Sequence, residues 1–392
     1  MTERLRRAPR VRVPSGTGRR GIATVMAAAF ALTVSGALPT PAGPARDSGD
    51  VVREGLRRLV QDDRFPAALA TTTDRDGRAH TYAAGVADVT TGAKVPADGQ
   101  VRAGSNTKAF TATVVLQLVG EGKVALDAPI ERYLPKLVRG ATADGRRITV
   151  RQLLQHTSGL PNYTDYLGDF AAYRHTHLPP RALLDLALAH RALFAPGTGW
   201  SYSNTNYLLA GLLVERVTGR PLAEALTHRV IDRIGLRHTY VPGPGDEHLR
   251  EPHPEGYLPS GTAGPLTDVT EEDPAWAGAA GALVSTPGDL NRFFRALLGG
   301  ALLRPAQLAE MRRTVPAAGL WPGARYGLGL IGTPLRCGGV MWGHGGDIPG
   351  YRTRTGVTAD GRAVTVAVTA DPAPAPKTPD HALSLLDTVL CA

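Results

Sequence analysis

Ser105 and Lys108 stand three residues apart at the head of an apolar-periodic stretch. On a helix such a pair shares a face, which brings an amine within reach of a hydroxyl and can turn that hydroxyl into a nucleophile. With five lysines and ten serines in 392 residues, about 0.13 Ser-x-x-Lys tetrads would arise by chance, so the tetrad needs partners before it means catalysis. Tyr202 and Asn204, in the loop Gly199-Trp-Ser-Tyr-Ser-Asn-Thr, are candidates. In extended chain residues i and i+2 point the same way, so both can face one cleft. A phenol beside an ammonium ionises more easily, because opposite charge favours the charged form, and Tyr202 could then act as a general base. Alone, the tripeptide reads as a helix cap, with Ser203 or Asn204 capping and Tyr202 as an apolar staple. A third group, Gly343-His344-Gly345-Gly346-Asp347, sets an imidazole among glycines that let a substrate backbone lie against a strand. In isolation it is a turn with an ordinary histidine.

The elements that must position these groups come from both ends of the chain. Residues 67–73 and 78–86 are β-prone and flank Asp74-Arg75-Asp76-Gly77, a hairpin signal. Residues 339–342, 351–358 and 363–369 read as further strands, the last two joined by Ala359-Asp360-Gly361. Thr378-Pro379 then supplies a cap and first-turn proline for a helix over 382–390. The two ends are expected to share one sheet. Between them Phe110, Val114 and Leu118 recur at four-residue spacing before Gly120 and Gly122, and Ala210, Val214 and Val217 precede Gly219, so residues 106–275 read as a mainly helical insertion.

A chain 43% hydrophobic and 20% charged is long enough to bury a large core and is not disordered. The net charge of +9 invites a nucleic-acid reading, but seven arginines against Glu3 put about +6 of it in residues 1–45. That segment has an arginine-rich front, an apolar run over 22–38 and small residues at Ser35-Gly36-Ala37 or Gly43-Pro44-Ala45, which reads as an export signal ahead of a domain over 46–392. An uncleaved anchor is the alternative, although the run falls short of the ~20 apolar residues of a span. Cys337 and Cys391 are the two cysteines; in an exported chain such a pair can form a disulfide, and two unpaired thiols are the alternative.

Ser105-x-x-Lys108, Tyr202-x-Asn204 and His344-x-Gly346, in this order, resemble the three motifs of the penicillin-recognising serine hydrolases. The likeness runs over 51–391 and takes in residues 148–160, 202–207 and 326–330. It is closest to secreted actinomycete D-Ala-D-Ala carboxypeptidases, whose two cysteines match Cys337 and Cys391. The resemblance implies an α+β, β-lactamase/transpeptidase-like fold: an antiparallel sheet flanked by helices, with the site in the cleft beside the helical insertion. It implies that Ser105 attacks a carbonyl, that Lys108 and Tyr202 move its proton, that Asn204 holds a substrate amide, and that His344 stands near the tyrosine. Backbone N–H groups of Ser105 and Asp347 would form the oxyanion hole. Gly345, Gly346 and Asp347 would line the substrate strand, and Trp276 the cleft, unless Trp276 is a half-buried core residue.

The activity so implied is acyl transfer to water on D-amino-acid peptides, with a D-alanyl-D-alanine carboxypeptidase as first reading. The alternatives are an esterase, a D-aminopeptidase, a β-lactamase or a weakly active penicillin-binding protein. A peptidoglycan-type peptide or another small acyl substrate and covalent β-lactams are the expected ligands. No cofactor, metal or nucleic acid is expected, and the chain is expected to be an extracellular monomer. Against the carboxypeptidase, the positions where those enzymes carry an arginine and hydroxyls to bind a carboxylate align here with Ile331, Gly345 and Asp347; an acid would repel that carboxylate. Gly327-x-Gly329-x-x-Gly332 meets a dinucleotide fingerprint but has no helix opening behind it. His175 and His177, and Glu251, His253 and Glu255, lack metal-site spacing, and His156 in His-Thr-Ser-Gly reads as a turn residue with a lesser functional reading.

Overall fold

The computed structural model describes residues 48–260, 264–370 and 380–392. The expected export segment and the Thr378-Pro379 cap lie outside the described residues. Thirteen strands are present among the latter: β1 (Ala67–Thr73), β2 (Ala79–Gly85), β3 (Val101–Arg102), β4 (Tyr257–Pro259), β5 (Leu266–Asp268), β6 (Val284–Ser285), β7 (Val315–Pro316), β8 (Arg325–Tyr326), β9 (Ile331–Pro334), β10 (Val340–Gly343), β11 (Gly345–Ile348), β12 (Tyr351–Val357) and β13 (Ala363–Val368). Nine form one sheet in the order β2-β1-β13-β12-β10-β9-β8-β7, with β11 also on β12. The two ends of the chain meet at the antiparallel pair β1 and β13, from Ala68 opposite Val368 to Thr73 opposite Ala363.

Alternation along these strands explains why the sheet is covered on both faces. Ala68, Ala70, Val364, Val366 and Val368 turn toward the helices Ser48–Gln61 and His381–Leu390. Ala67, Leu69 and Ala367 turn the other way, into a cluster with Val101, Ile348 and Tyr351. The helix Pro287–Leu298 packs on β1, β12 and β13 and is started by Thr286, whose hydroxyl accepts the Asp289 N–H. The final helix, His381–Leu390, is capped by Asp380, whose carboxylate accepts the Leu383 N–H at 2.9 Å. The helix Ser48–Gln61 was not among the expected elements, because three of its apolar contacts, Val52, Leu56 and Leu59, stand amid arginines and acids.

Between β3 and β6 the chain is mostly helical, broken by the ribbon β4 and β5. Its core elements are the helices Thr107–Gly120 and Asn204–Thr218, buried along most of their length. Glycine stops both as expected: Gly122 has φ 73° and Gly219 φ 69°. The Gly-x-Gly-x-x-Gly stretch is a tight turn between β8 and β9, with Gly327 N–H on Leu330 O at 2.7 Å, and no helix follows it.

Cys337 and Cys391 are bonded, tying the turn ahead of β10 to the end of the last helix. Closing a loop of 54 residues contributes about 4 kcal/mol by the chain-entropy estimate, less any strain. A Cys337→Ser, Cys391→Ser chain is therefore expected to melt several degrees below the parent, and reductant is expected to lower the parent toward it; equal melting temperatures would contradict this role.

Candidate active site

Gly104–Asn106 forms a single 3-10 turn leading straight into the helix Thr107–Gly120, and this puts Ser105 and Lys108 on one face. Lys108 is completely buried. Its Nζ lies 2.9 Å from Ser105 Oγ, 2.7 Å from Asn204 Oδ1 and 2.7 Å from the Ala280 carbonyl. Burial holds the amine well below the usual lysine range, against the opposing pull of the Asp347 carboxylate. A neutral amine has two N–H donors and one lone pair. The Asn204 and Ala280 oxygens can only accept, so they take both donors and leave the lone pair for the Ser105 hydroxyl.

Asn204 opens the helix Asn204–Thr218. Asn162 Oδ1 accepts its backbone N–H at 2.9 Å, and its Nδ2 donates to Thr164 Oγ1 at 3.3 Å, which turns its carbonyl oxygen toward Lys108. Ser203 is extended, with φ −147° and ψ 121°, so Tyr202 faces the same cleft as Asn204. Lys108 Nζ is 4.9 Å from the Tyr202 ring centre. Burial raises the phenol above its usual value, with the nearby Ser105 hydroxyl pulling the other way. Burial works against the expected ionisation of Tyr202, because desolvation favours the neutral form of the phenol as it does that of the lysine.

His344 lies between β10 and β11, where the edge along β12 breaks; its carbonyl accepts Thr355 N–H at 3.2 Å. The ring is buried, and its pKa is pushed down to about 3, by burial first and then by Lys108. Nδ1 contacts the Gly345 carbonyl and so carries the proton, leaving Nε2 to accept from Tyr326 Oη at 2.9 Å. The imidazole therefore engages Tyr326, not Tyr202, whose ring centre is 6.4 Å away.

Gly346 and Gly345 serve packing. A Cβ on Gly346 would come within 2.0 Å of the Ala103 carbonyl and one on Gly345 within 3.0 Å of Arg354 Nη1. A Cβ on Gly104 would lie 3.1 Å from the Asp347 backbone N, so β11 runs against the Ser105 turn. The Asp347 carboxylate, half exposed at the rim, pairs with Arg352 Nε at 2.9 Å and Arg354 Nη2 at 3.0 Å. Trp276 is buried, with Nε1 donating to Glu272 at 2.9 Å and its ring packed near Phe170 and Tyr173. Its carbonyl accepts the Tyr163 Oη hydrogen at 2.7 Å. Burial raises the pKa of Glu272 to about 7.

Sequence reading missed Ala280, Asn162 and the tyrosine on His344. A backbone carbonyl leaves no mark in residue type, and Asn162 is one ordinary loop asparagine; Tyr326 lay in a matched segment but without a role. Among the described residues no group of His, Cys, Asp or Glu is arranged to hold a metal.

A family model described as beta-lactamase matches residues 52–390. The chain is 31% identical to esterase EstB of Burkholderia gladioli over 327 residues, 73% of this chain and 82% of that one. Among solved structures, a D-stereospecific amidohydrolase from Streptomyces sp. is 41% identical with a TM-score of 0.76, over 82% of this chain and 94% of that one. The D-amino acid amidase from Ochrobactrum anthropi SV3, complexed with L-phenylalanine amide, is 28% identical with a TM-score of 0.78, over 88% and 97%.

If the free amine of Lys108 is the working form, kcat/KM rises with pH through its lowered pKa, and the acid limb falls well below the ordinary lysine value of about 10.4. Lys108→Arg keeps a cation that does not deprotonate; it is expected to lose about 10²–10⁴-fold in kcat/KM, and a pH–rate series on both proteins checks it.

Proposed function

The chain belongs to the beta-lactamase family, and on that premise we propose that it is a serine amidohydrolase that forms an acyl-enzyme at Ser105 and acts on D-amino-acid amides. The observation that carries the chemistry is the buried Lys108 nitrogen within hydrogen-bond distance of Ser105 Oγ, Asn204 Oδ1 and the Ala280 carbonyl; once its proton is lost, two donors suffice for the two carbonyl oxygens and the lone pair faces Ser105 Oγ. Ser105 Oγ attacks the substrate carbonyl while its proton passes to Lys108 Nζ. The developing oxyanion sits between the N–H groups of Ser105 and Asp347; the approach of β11 to the Ser105 turn supports this. Tyr202, kept protonated by burial, gives its proton to the leaving nitrogen, and the Lys108 ammonium replaces it. Water then attacks the ester, its proton going to the Lys108 amine and the Ser105 hydroxyl being restored. His344 acts by holding Tyr326 rather than by passing protons.

The substrate reading has two supports. Asp347 puts a carboxylate at the rim where a carboxypeptidase needs hydroxyls to receive a terminal carboxylate, and it suits an amine-bearing or neutral substrate. The 41% identical Streptomyces structure is a D-stereospecific amidohydrolase. The D-Ala-D-Ala carboxypeptidase and the esterase remain the rivals. Export is part of the proposal: the arginine-rich leader and the disulfide suit an oxidising compartment.

Side-by-side assays of D-phenylalanine amide, a D-Ala-D-Ala peptide and a p-nitrophenyl ester decide among these. Ammonia release from the amide is expected to exceed D-alanine release, and Ser105→Ala is expected to cost at least about 10³-fold on all three. D-alanine release without ammonia would restore the carboxypeptidase; ester turnover alone would make the protein an esterase. Asp347→Ser removes the rim charge and is expected to improve kcat/KM for the carboxylate-bearing peptide by about tenfold relative to the amide.

A further inference from the structure

His156 is entirely buried, lies outside the reacting groups and holds a backbone that suits few residues. Its φ is 61°, a left-handed conformation that costs a residue with a Cβ and persists where surroundings over-determine it. The chain is pinned there by Ser201 N–H donating to the His156 carbonyl at 3.1 Å. Two donors converge on one ring nitrogen: Ser203 N–H at 3.2 Å and Asn206 Nδ2 at 3.1 Å, both on Nδ1. That nitrogen must carry a lone pair, so the proton belongs on Nε2, which is buried with no hydrogen-bond partner. The ring lies 4.3 Å from that of Tyr202 at 33°, 4.7 Å from Tyr326 and 5.3 Å from Tyr207.

Two separate requirements meet in this side chain. A flat ring is needed to back the phenol of Tyr202, and an acceptor at its edge is needed to hold the peptide one residue further on. Phenylalanine supplies the first and glutamine the second; a neutral imidazole supplies both. We propose that His156 is the positioning residue for Tyr202, holding the Tyr202-Ser203-Asn204 segment from behind by ring contact and by accepting the Ser203 N–H, so that the phenol stays on Ser105. This rests on the acyl-enzyme reading above. Protonation would turn Nδ1 into a third donor facing two donors and release the segment. Burial, then Lys108 and His344, hold the imidazole well below its usual value, and the other titratable groups in ring contact are Tyr202, Tyr207 and Tyr326.

The test is a double-mutant cycle on His156→Phe and Tyr202→Phe, read by burst kinetics with a p-nitrophenyl ester, with melting temperature and circular dichroism on each protein. His156→Phe alone is expected to lower the acylation rate about tenfold or more at nearly constant KM, since misplacement of a catalytic group by about 1 Å can cost 10²-fold. In the Tyr202→Phe background the same change is expected to cost less than about twofold. His156→Gln, which restores an acceptor without the ring, is expected to recover part of the loss. With Tyr202 displaced and Lys108 better solvated, the acid limb of the His156→Phe profile is expected to move to higher pH. An unchanged acylation rate in His156→Phe, or an equal loss in both backgrounds, overturns the proposal; so does failure of both His156 variants to fold, which makes the residue a requirement of the fold alone. A burst that survives Ser105→Ala would instead sink the active-site reading.

Discussion

An ammonium taken out of water costs several kcal/mol even after relaxation, and Lys108 is buried completely, with a hydroxyl, an amide oxygen and a backbone carbonyl, and no carboxylate, as its hydrogen-bond partners among the described residues. The fold answers that cost by letting the amine lose its proton and by giving its two remaining donors oxygen partners. This one constraint explains why three elements must converge: the helix Thr107–Gly120 carries the amine, the start of Asn204–Thr218 brings Asn204 Oδ1, and the short helix Gly278–Gly281 brings the Ala280 carbonyl. Thr111 Oγ1 on the Ala279 carbonyl at 2.9 Å fixes that last element one turn further along the same helix. Remove either oxygen and a buried N–H is left unpaired, which is the costly state.

The sheet supplies the other half of the cleft, and there the constraint is distance between backbones. Gly346 lets β11 press on the Ala103 carbonyl, and Gly104, with φ 52°, turns the chain where the Asp347 N–H arrives. Thr353 Oγ1 and the Ala103 carbonyl both receive Asn106 Nδ2, at 2.7 and 3.0 Å, so the Ser105 turn is bolted to β12 as well as to its own helix. Ser105 thus sits on a joint between the sheet and the helical region.

Residues that act through type and spacing were legible in the sequence. Ser105, Lys108, Tyr202 and Asn204 converge in space as their motifs imply, and the strands from both ends pair because alternating Ala and Val mark a sheet covered on both faces. What escaped was of three kinds. Partners made of backbone, such as the Ala280 carbonyl, carry no sequence signal. Protonation states escaped because they depend on burial: placing a lysine next to a phenol says the phenol ionises, while burying both says neither holds a charge. His344 shows a third limit, since the motif names the residue but not which tyrosine, Tyr202 or Tyr326, it faces.

Neutrality extends through the whole interior of the site. Lys108, His156 and His344 are all held below their usual values, and Tyr202, Tyr207 and Tyr326 above theirs, with burial the first cause in each case. In such a medium a charge acts several-fold more strongly than in water, and Asp347 at the rim is felt by both Lys108 and Tyr202. On the proposed reading, acylation draws on this interior of lowered amine and raised phenol pKa values, and charge at the rim bears on which acyl substrate is admitted. A change at Asp347 therefore alters both the charge a substrate meets and the field acting on Lys108 and Tyr202 behind Ser105.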